Sequence, residues 1–394
     1  MVPLARKNLF EDLPRFLVAQ AGIIFAVGLI TIQTGILKGF TRSTIQLIKG
    51  STADIWVSSN DMVNLELTAS LPYNRLAQAQ TVDGVERAEA LSTQGAILRA
   101  PSGKIVAVRV IGIDPNSQLL SPGTLLQGKL SDLKQPYSFI ADTTTLNELD
   151  LKAVGDRAVI GNHPAILVGI TQGIQSNASS PFLLTSLETA KAYQESPRLL
   201  AASIKPTSPA LTPLNQYDSI AYILIKAKPG ENLQALQKRL NDALPDTRAH
   251  TTLDMAQITE RYWETRTSVG FILGLGATVG IIVGMVIVGQ ILYSSVSDHI
   301  QEFGTLKAMG VADRIAYQII IEQSLWMAVL GYIPGMVLCY GIGLWTATTQ
   351  GVVILITPTL AVGVLGITVV MCVGSAIFAI QKVTRVDPAI VFKA

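Results

Sequence analysis

The sequence predicts a membrane protein of four transmembrane α-helices, one before and three after a large α+β extracytoplasmic domain. Composition is the first reason: 49% of the 394 residues are hydrophobic and 15% are charged, against about 25% charged in ordinary soluble domains. The second is a set of runs without Asp, Glu, Lys, Arg or His: Phe16–Leu37, Thr267–Ser297 and Gln323–Gln381. The third is the stretch between the first two runs, Lys38–Arg266, whose charges and turn residues are those of a soluble domain.

Residues 1–15 mix Leu4, Leu9, Phe10 and Leu13 with Arg6, Lys7 and Arg15. They read as a cytoplasmic amphipathic helix on the membrane surface or as a frayed terminus. Span one is 16–37. At 1.5 Å per residue it extends about 33 Å, enough for a hydrocarbon core of about 30 Å. A signal peptide would carry a shorter apolar core, about 7–15 residues, and a small-residue cleavage site. This run is longer and continues into Lys38-Gly39-Phe40, so it reads as a retained anchor.

Within the soluble stretch, Asp54–Ser58 reads as a strand and Pro72–Gln80 as a helix. Val85–Arg99 and Lys104–Ile113 read as a hairpin about Pro101-Ser102-Gly103. The pattern recurs later: a strand at Ser219–Ile225, a helix at Glu231–Leu244 with Leu233, Leu236, Leu240 and Leu244 on one face, and a strand at Thr247–Thr251. Two β-α-β pieces, 50–113 and 218–252, imply one lobe interrupted by a β-rich insert, 114–217. The loops of that insert are Gly173–Pro181 and Pro206–Pro213.

Span two is 267–293 and span three 323–346, with Pro334 between Gly331 and Gly335 as an expected kink. Gln323–Gln381 is too long for one crossing, so it folds back around Thr348–Gly351 and Thr357-Pro358 into span four, 358–381. A tail, 382–394, follows. Residues 294–322 hold Asp298, Glu302, Lys307, Asp313 and Arg314 and stay out of hydrocarbon, where each charge costs roughly 2.5–3.5 kcal/mol. Arg6, Lys7, Arg15, Lys382, Arg385 and Lys393 flank the ends. The loop between spans three and four has no basic residue, so both termini and 294–322 are expected in the cytoplasm, with 38–266 outside.

Several chemistries find little support. Net charge is +2 with no Lys/Arg run, so no nucleic-acid partner is expected. Cys339 and Cys372 lie in apolar runs without His or Cys neighbours, and His163, His250 and His299 are scattered, so no metal site is expected. Gly123–Leu130 approaches a phosphate-binding loop but has Leu130 where that motif needs Ser or Thr, and it reads as a turn. The spans carry no ionisable residue, which argues against ion-coupled carriers. Gly276, Gly280 and Gly284 stack on one face of span two. Such a face lets helix backbones approach closely, either in a subunit interface, the favoured reading, or against a span of the same chain.

The layout, together with Glu302-Phe303-Gly304-Thr305-Leu306-Lys307-Ala308-Met309-Gly310, resembles the MacB/FtsX-type ABC transporter permeases and their Glu-Ile-Gly-x-x-Arg/Lys-Ala-x-Gly signature. Val386-Asp387-Pro388-Ala389 is similar to that family's Pro-Ala tail. Leu17–Ala26 with Ala53–Val57 looks most like the DevC branch of cyanobacteria. His299 departs from the family, which often has Arg there.

The resemblance implies a non-catalytic subunit of the inner (plasma) membrane, with porter and sabre subdomains in its periplasmic domain. It implies a homodimer on two copies of a separate ABC ATPase, which binds the ATP and magnesium; the chain itself has no cofactor. Ser297–Ala308 would be the coupling helix in the ATPase groove, contributing Ser297, His299, Ile300, Glu302, Phe303, Leu306 and Lys307, with Gly304 at the contact and Gly310 ending the helix. A periplasmic adaptor and a TolC-like outer-membrane channel would complete an exporter of lipid or amphiphile, with membrane lipid as a further partner. Alternatives are an FtsX-like signal transmitter and a lipoprotein or lipid extraction permease without an outer channel. A membrane-anchored enzyme is disfavoured, because no nucleophile, base and acid can be nominated together.

Overall fold

The computed structural model describes residues 13–196, 206–298, 300, 305, 313–349 and 354–384. The chain divides into two compact units, Phe40–Thr267 and Met1–Gly39 together with Ser268–Ala394. In chain order, helix α1 (Leu13–Thr44) precedes β1 (Ile55–Ser59), β2 (Leu71–Pro72), α2 (Asn74–Gln80), β3 (Val85–Arg99), β4 (Ile105–Ile113), β5 (Thr124–Gln127) and β6 (Ser138–Asp142). Then come β7 (Arg157–Ile160), β8 (His163–Gln172), β9 (Phe182–Ser186), α3 (Leu187–Glu195), β10 (Ser219–Ile220), β11 (Tyr222–Ala227), α4 (Leu233–Ala243), β12 (Thr247–Thr251) and α5 (Thr252–Thr265). Three long helices close the chain: α6 (Ser268–Asp298), α7 (Asp313–Thr349) and α8 (Pro358–Thr384).

The soluble unit is built on a ten-stranded sheet in the order β12-β1-β11-β3-β4-β9-β6-β8-β5, with β7 joining β3 and β8. The neighbours are mostly antiparallel; β4–β9 and β6–β8 are parallel. Helix starts are capped by side chains. Asn232 accepts from the N–H groups of Gln234 and Ala235 at the head of α4, and Thr251 accepts from that of Asp254 at the head of α5. The leucine face of α4 is buried through Leu236 and Leu240, and Leu244 just beyond it is buried too.

β3 is the pivot of this sheet. At about 3.3 Å per residue its 15 residues reach roughly 50 Å, and sheet twist carries so long a strand away from any one partner. It pairs with β11 from Val85 to Leu91, then with β4 from Ser92 to Arg99. Its first half is buried with Ile55, Ile223, Leu236 and Leu240, its second with Val106, Val108, Phe139 and Leu167. The sequence division at Asp114 is therefore drawn too late. The outer half of the β3–β4 hairpin belongs to the core of the 138–193 strands and helix, because its apolar residues face them.

Among the described residues, four helices are long and apolar enough to cross a membrane: Leu13–Thr44, Ser268–Asp298, Tyr317–Thr346 and Pro358–Ile377. Their ends differ from the sequence division. α6 continues to Asp298, past the expected end of span two at 293, and α7 begins at Asp313, ten residues before the expected start of span three. Charge sets how deep a residue can lie in a bilayer, but Asp313, Arg314 and Glu322 are all compatible with a helical backbone. Pro334 sits inside α7 without ending it. Pro358 opens α8 as its first residue, and Thr357 Oγ1 accepts from the Leu360 N–H at 3.2 Å.

The membrane unit has its own core. Ile23, Ala26, Val27 and Ile30 of α1 meet Val288 and Leu292 of α6, Met327 and Ala328 of α7, and Val364, Met371 and Cys372 of α8. Polar groups inside it bond across helices: Ser375 Oγ donates to the Met285 carbonyl at 2.8 Å and Tyr332 Oη to the Ala361 carbonyl at 2.9 Å.

Candidate functional site

The polar segment between spans two and three is defined by its ends. Ser297 lies in the last turn of α6, its hydroxyl donating to the Tyr293 carbonyl at 2.8 Å. It therefore belongs to the membrane helix, where the sequence had suggested the start of a separate coupling helix. Arg15 forms an ion pair with Asp298, bringing the start of α1 to the end of α6. Ile300 and Thr305 are described as helical. His299, Glu302, Phe303, Gly304, Leu306, Lys307 and Gly310 lie outside the described residues.

Gly276, Gly280 and Gly284 face the chain's own helices. A Cβ on Gly276 would stand 2.8 Å from Gln33 Nε2, one on Gly280 3.0 Å from Leu29 Cβ, and one on Gly284 2.7 Å from Ala26 Cβ. Met371 of α8 also reaches Gly284. The favoured subunit-interface reading of this face is thus replaced by intrachain packing: α6 needs these glycines to approach α1. The same device recurs on α7, where Gly331 and Gly335 lie against Ile23 and Val27 of α1. The side of α6 carrying Phe271, Ile272, Leu275, Val279, Ile282 and Val286 is exposed within the chain.

The soluble unit carries a cleft beside β3. Where β4 does not reach, the edge of Glu86–Ala90 is met by α2, whose Gln80 amide donates to the Ala88 carbonyl at 3.3 Å. A cavity of about 830 Å³ opens there, lined by Tyr73, Asn74, Glu86, Asp114 and Leu187 among others. Burial raises the pKa of the Tyr73 hydroxyl, and the carboxylates of Glu188 and Asp114 add to the effect. Arg87 and Glu89 also line the cleft and pair with each other, so Glu86 and Asp114 leave it with an acidic balance that suits cations and hydrogen-bond donors over anions.

Next to it, the carboxylate of Glu89 is 6% exposed. It accepts from the Gln118 N–H at 3.0 Å, the Leu119 N–H at 3.2 Å, the Ser117 hydroxyl and Arg87. Burial pushes its pKa up, but these donors outweigh burial and leave it below the ordinary glutamate value. Gly123–Leu130 is a strand and a turn: β5 pairs with β8, and Gly123 and Gly128 take φ of 73° and 80°. Among the described residues no group of three His, Cys, Asp or Glu could hold a metal ion.

Two family models match in tandem. The MacB-like periplasmic core domain covers residues 16–243, more than half of the chain, and the FtsX-like permease C-terminal domain covers residues 274–388. The chain belongs to the MacB/FtsX-type permease family. A protein of Pseudomonas fluorescens described as a probable export ATP-binding/permease protein is 23% identical over 216 residues, covering 53% of this permease and 30% of the relative. The periplasmic region of MacB from Actinobacillus actinomycetemcomitans superposes with a TM-score of 0.39 at 14% identity, over 54% of this permease and 95% of that chain. The extracellular domain of the ABC-type transporter YknZ from Gram-positive bacteria gives a TM-score of 0.35 at 12% identity, over 50% and 98%.

This permease is therefore a membrane protein with a MacB-like periplasmic core domain and an FtsX-like permease domain. The glycines picked out in its sequence are brought together by packing, in the membrane unit's own core. Glu89, the Tyr73 cleft and Gln20 escaped sequence reasoning. Glu89 draws donors from Ser117, Gln118 and Leu119, the Tyr73 cleft joins residues as far apart as Tyr73 and Gln216, and Gln20 meets Gly331, so no local spacing marks them.

Proposed function

We propose that this chain is the permease subunit of an ATP-driven exporter of the MacB/DevC type. Two copies in the inner membrane would ride on a pair of separate ABC ATPase subunits, because one ATPase pair needs two coupling segments and each permease offers one. The segment 294–322, centred on Glu302 and Gly304, would take the push of the ATPase and pass it through α6 and α7 to the periplasmic domain. That domain would expel a lipid or amphiphile through an adaptor and a TolC-like channel. The observation carrying this reading is the tandem match of a periplasmic core and a permease domain on one chain, whose spans have no charged residue along Phe16–Leu37, Thr267–Ser297 and Gln323–Gln381. Such spans suit relayed motion better than a polar pathway through the bundle.

The test is affinity purification of the full chain from membranes of its host, with and without Glu302→Lys. Recovery of an ABC ATPase, an adaptor and an outer-membrane channel supports the exporter, and Glu302→Lys should uncouple ATP hydrolysis from transport while the permease stays folded. Recovery of a periplasmic hydrolase with the ATPase would replace export by signal transmission. An ATPase without adaptor or channel would favour extraction of lipid or lipoprotein.

A further inference from the structure

Gln20 lies in the first span and is only 7% exposed, yet among the described residues neither its amide oxygen nor its amide nitrogen has a hydrogen-bond partner. Such a group is costly in apolar surroundings, where no water is at hand to satisfy it. A second orphan sits across the seam. Pro334 lies inside α7 and has no N–H, so the carbonyl four residues earlier, that of Leu330, loses its helical donor.

The first orphan lies against the residue that follows the second. A Cβ built on Gly331, the residue directly after Leu330, would stand 2.9 Å from Gln20 Oε1 and 2.5 Å from Ile23 Cγ2. One turn on, a Cβ on Gly335 would stand 2.9 Å from Val27 Cγ1. The missing side chains at Gly331 and Gly335 let α1 close against α7 on both sides of the proline. The oxygen and nitrogen of a carboxamide exchange places by a half-turn about its last bond, and that half-turn puts the N–H₂ donors where Oε1 now lies, against Gly331. A polar group so placed is also the kind that satisfies backbone freed by proline in membrane helices.

We infer that Gln20 donates the hydrogen bond that Pro334 denies to the Leu330 carbonyl, fastening the first span to the third at its proline. Gly331 is the spacer that makes this reach possible. The pairing holds α1 and α7 together at one depth of the bundle and selects their register, which apolar packing alone specifies poorly.

The test is a double-mutant cycle on the full chain in lipid nanodiscs, read as the midpoint of thermal loss of helicity. Gln20→Met keeps the side-chain length and removes the donor. It should lower the midpoint in the parent chain and by less than half as much in the Pro334→Ala background, where a restored N–H serves Leu330. Equal losses in both backgrounds, or no loss in the parent, would overturn the inference. Gln20→Glu supplies an arm that does not depend on Pro334→Ala folding. Burial in apolar surroundings keeps its carboxyl protonated and able to donate, so it should hold the midpoint well above that of Gln20→Met. A midpoint as low as that of Gln20→Met would overturn the inference as well.

Discussion

Arg15, near the start of the first membrane helix, is ion-paired with Asp298, the last residue of the second. The start of α1 and the end of α6 therefore share one side of the bundle. Both side chains are about half exposed, so the pair itself contributes at most about 1 kcal/mol. Its importance is topological: the residues before span one and those after span two face the same compartment.

The compartment can be identified by labelling. In a chain lacking Cys339 and Cys372, a cysteine at Ser179 should react with an impermeant reagent in intact cells, and one at Ser297 should react only after lysis. The opposite pattern would reverse the orientation proposed here, in which the basic residues flanking the ends are cytoplasmic.

Gly280→Leu should disturb the bundle of each single chain. Its new Cβ would stand 3.0 Å from Leu29 Cβ, and the rest of the side chain would press into the same space. Overpacking of this kind costs about 1–3 kcal/mol. The expected outcome is a lower thermal midpoint whatever the oligomeric state. A variant with parental stability but a lost dimer would return this face to the subunit interface.

Glu89→Ala should destabilise the soluble unit by on the order of 3 kcal/mol, because it strips a buried carboxylate from four donors in one step. Chemical denaturation measures it. The folded-state pKa of Glu89 lies below its unfolded value. Its stabilisation is thus complete above about pH 4.3 and is lost as pH falls through the folded value. Glu89→Ala should flatten that part of the acid profile, and an unchanged profile would remove Glu89 from it.

His250, in the edge strand opposite Trp56, should make the domain weaken on mild acidification. Burial lowers its pKa, Arg248 lowers it further, and Asp254 opposes both. Its Nε2 is buried without a partner among the described residues. The folded state thus favours the neutral ring. Stability is full above about pH 6.5 and declines as pH drops from there through the folded value. His250→Gln should reduce this decline, to be read from denaturation midpoints between pH 7 and pH 5.

The residues alone determine that this is a membrane protein with four apolar spans and a soluble domain after the first. Hydrophobicity and charge accumulate along the chain, and the uncharged run from Gln323 to Gln381 needs no fold to be seen. The hairpin strands and the leucine face of α4 are legible for the same local reason, since period and turn residues lie within a few positions of each other. What the glycines of α6 pack against was decided only by tertiary structure: the same spacing serves a neighbouring chain or α1, and the distances to Ala26 and Leu29 select α1. Tertiary structure likewise made β3 one strand of two cores, because twist over its length carries it from β11 to β4. It also set Gln20 against Gly331, a meeting of residues more than 300 positions apart that no period in the chain can announce.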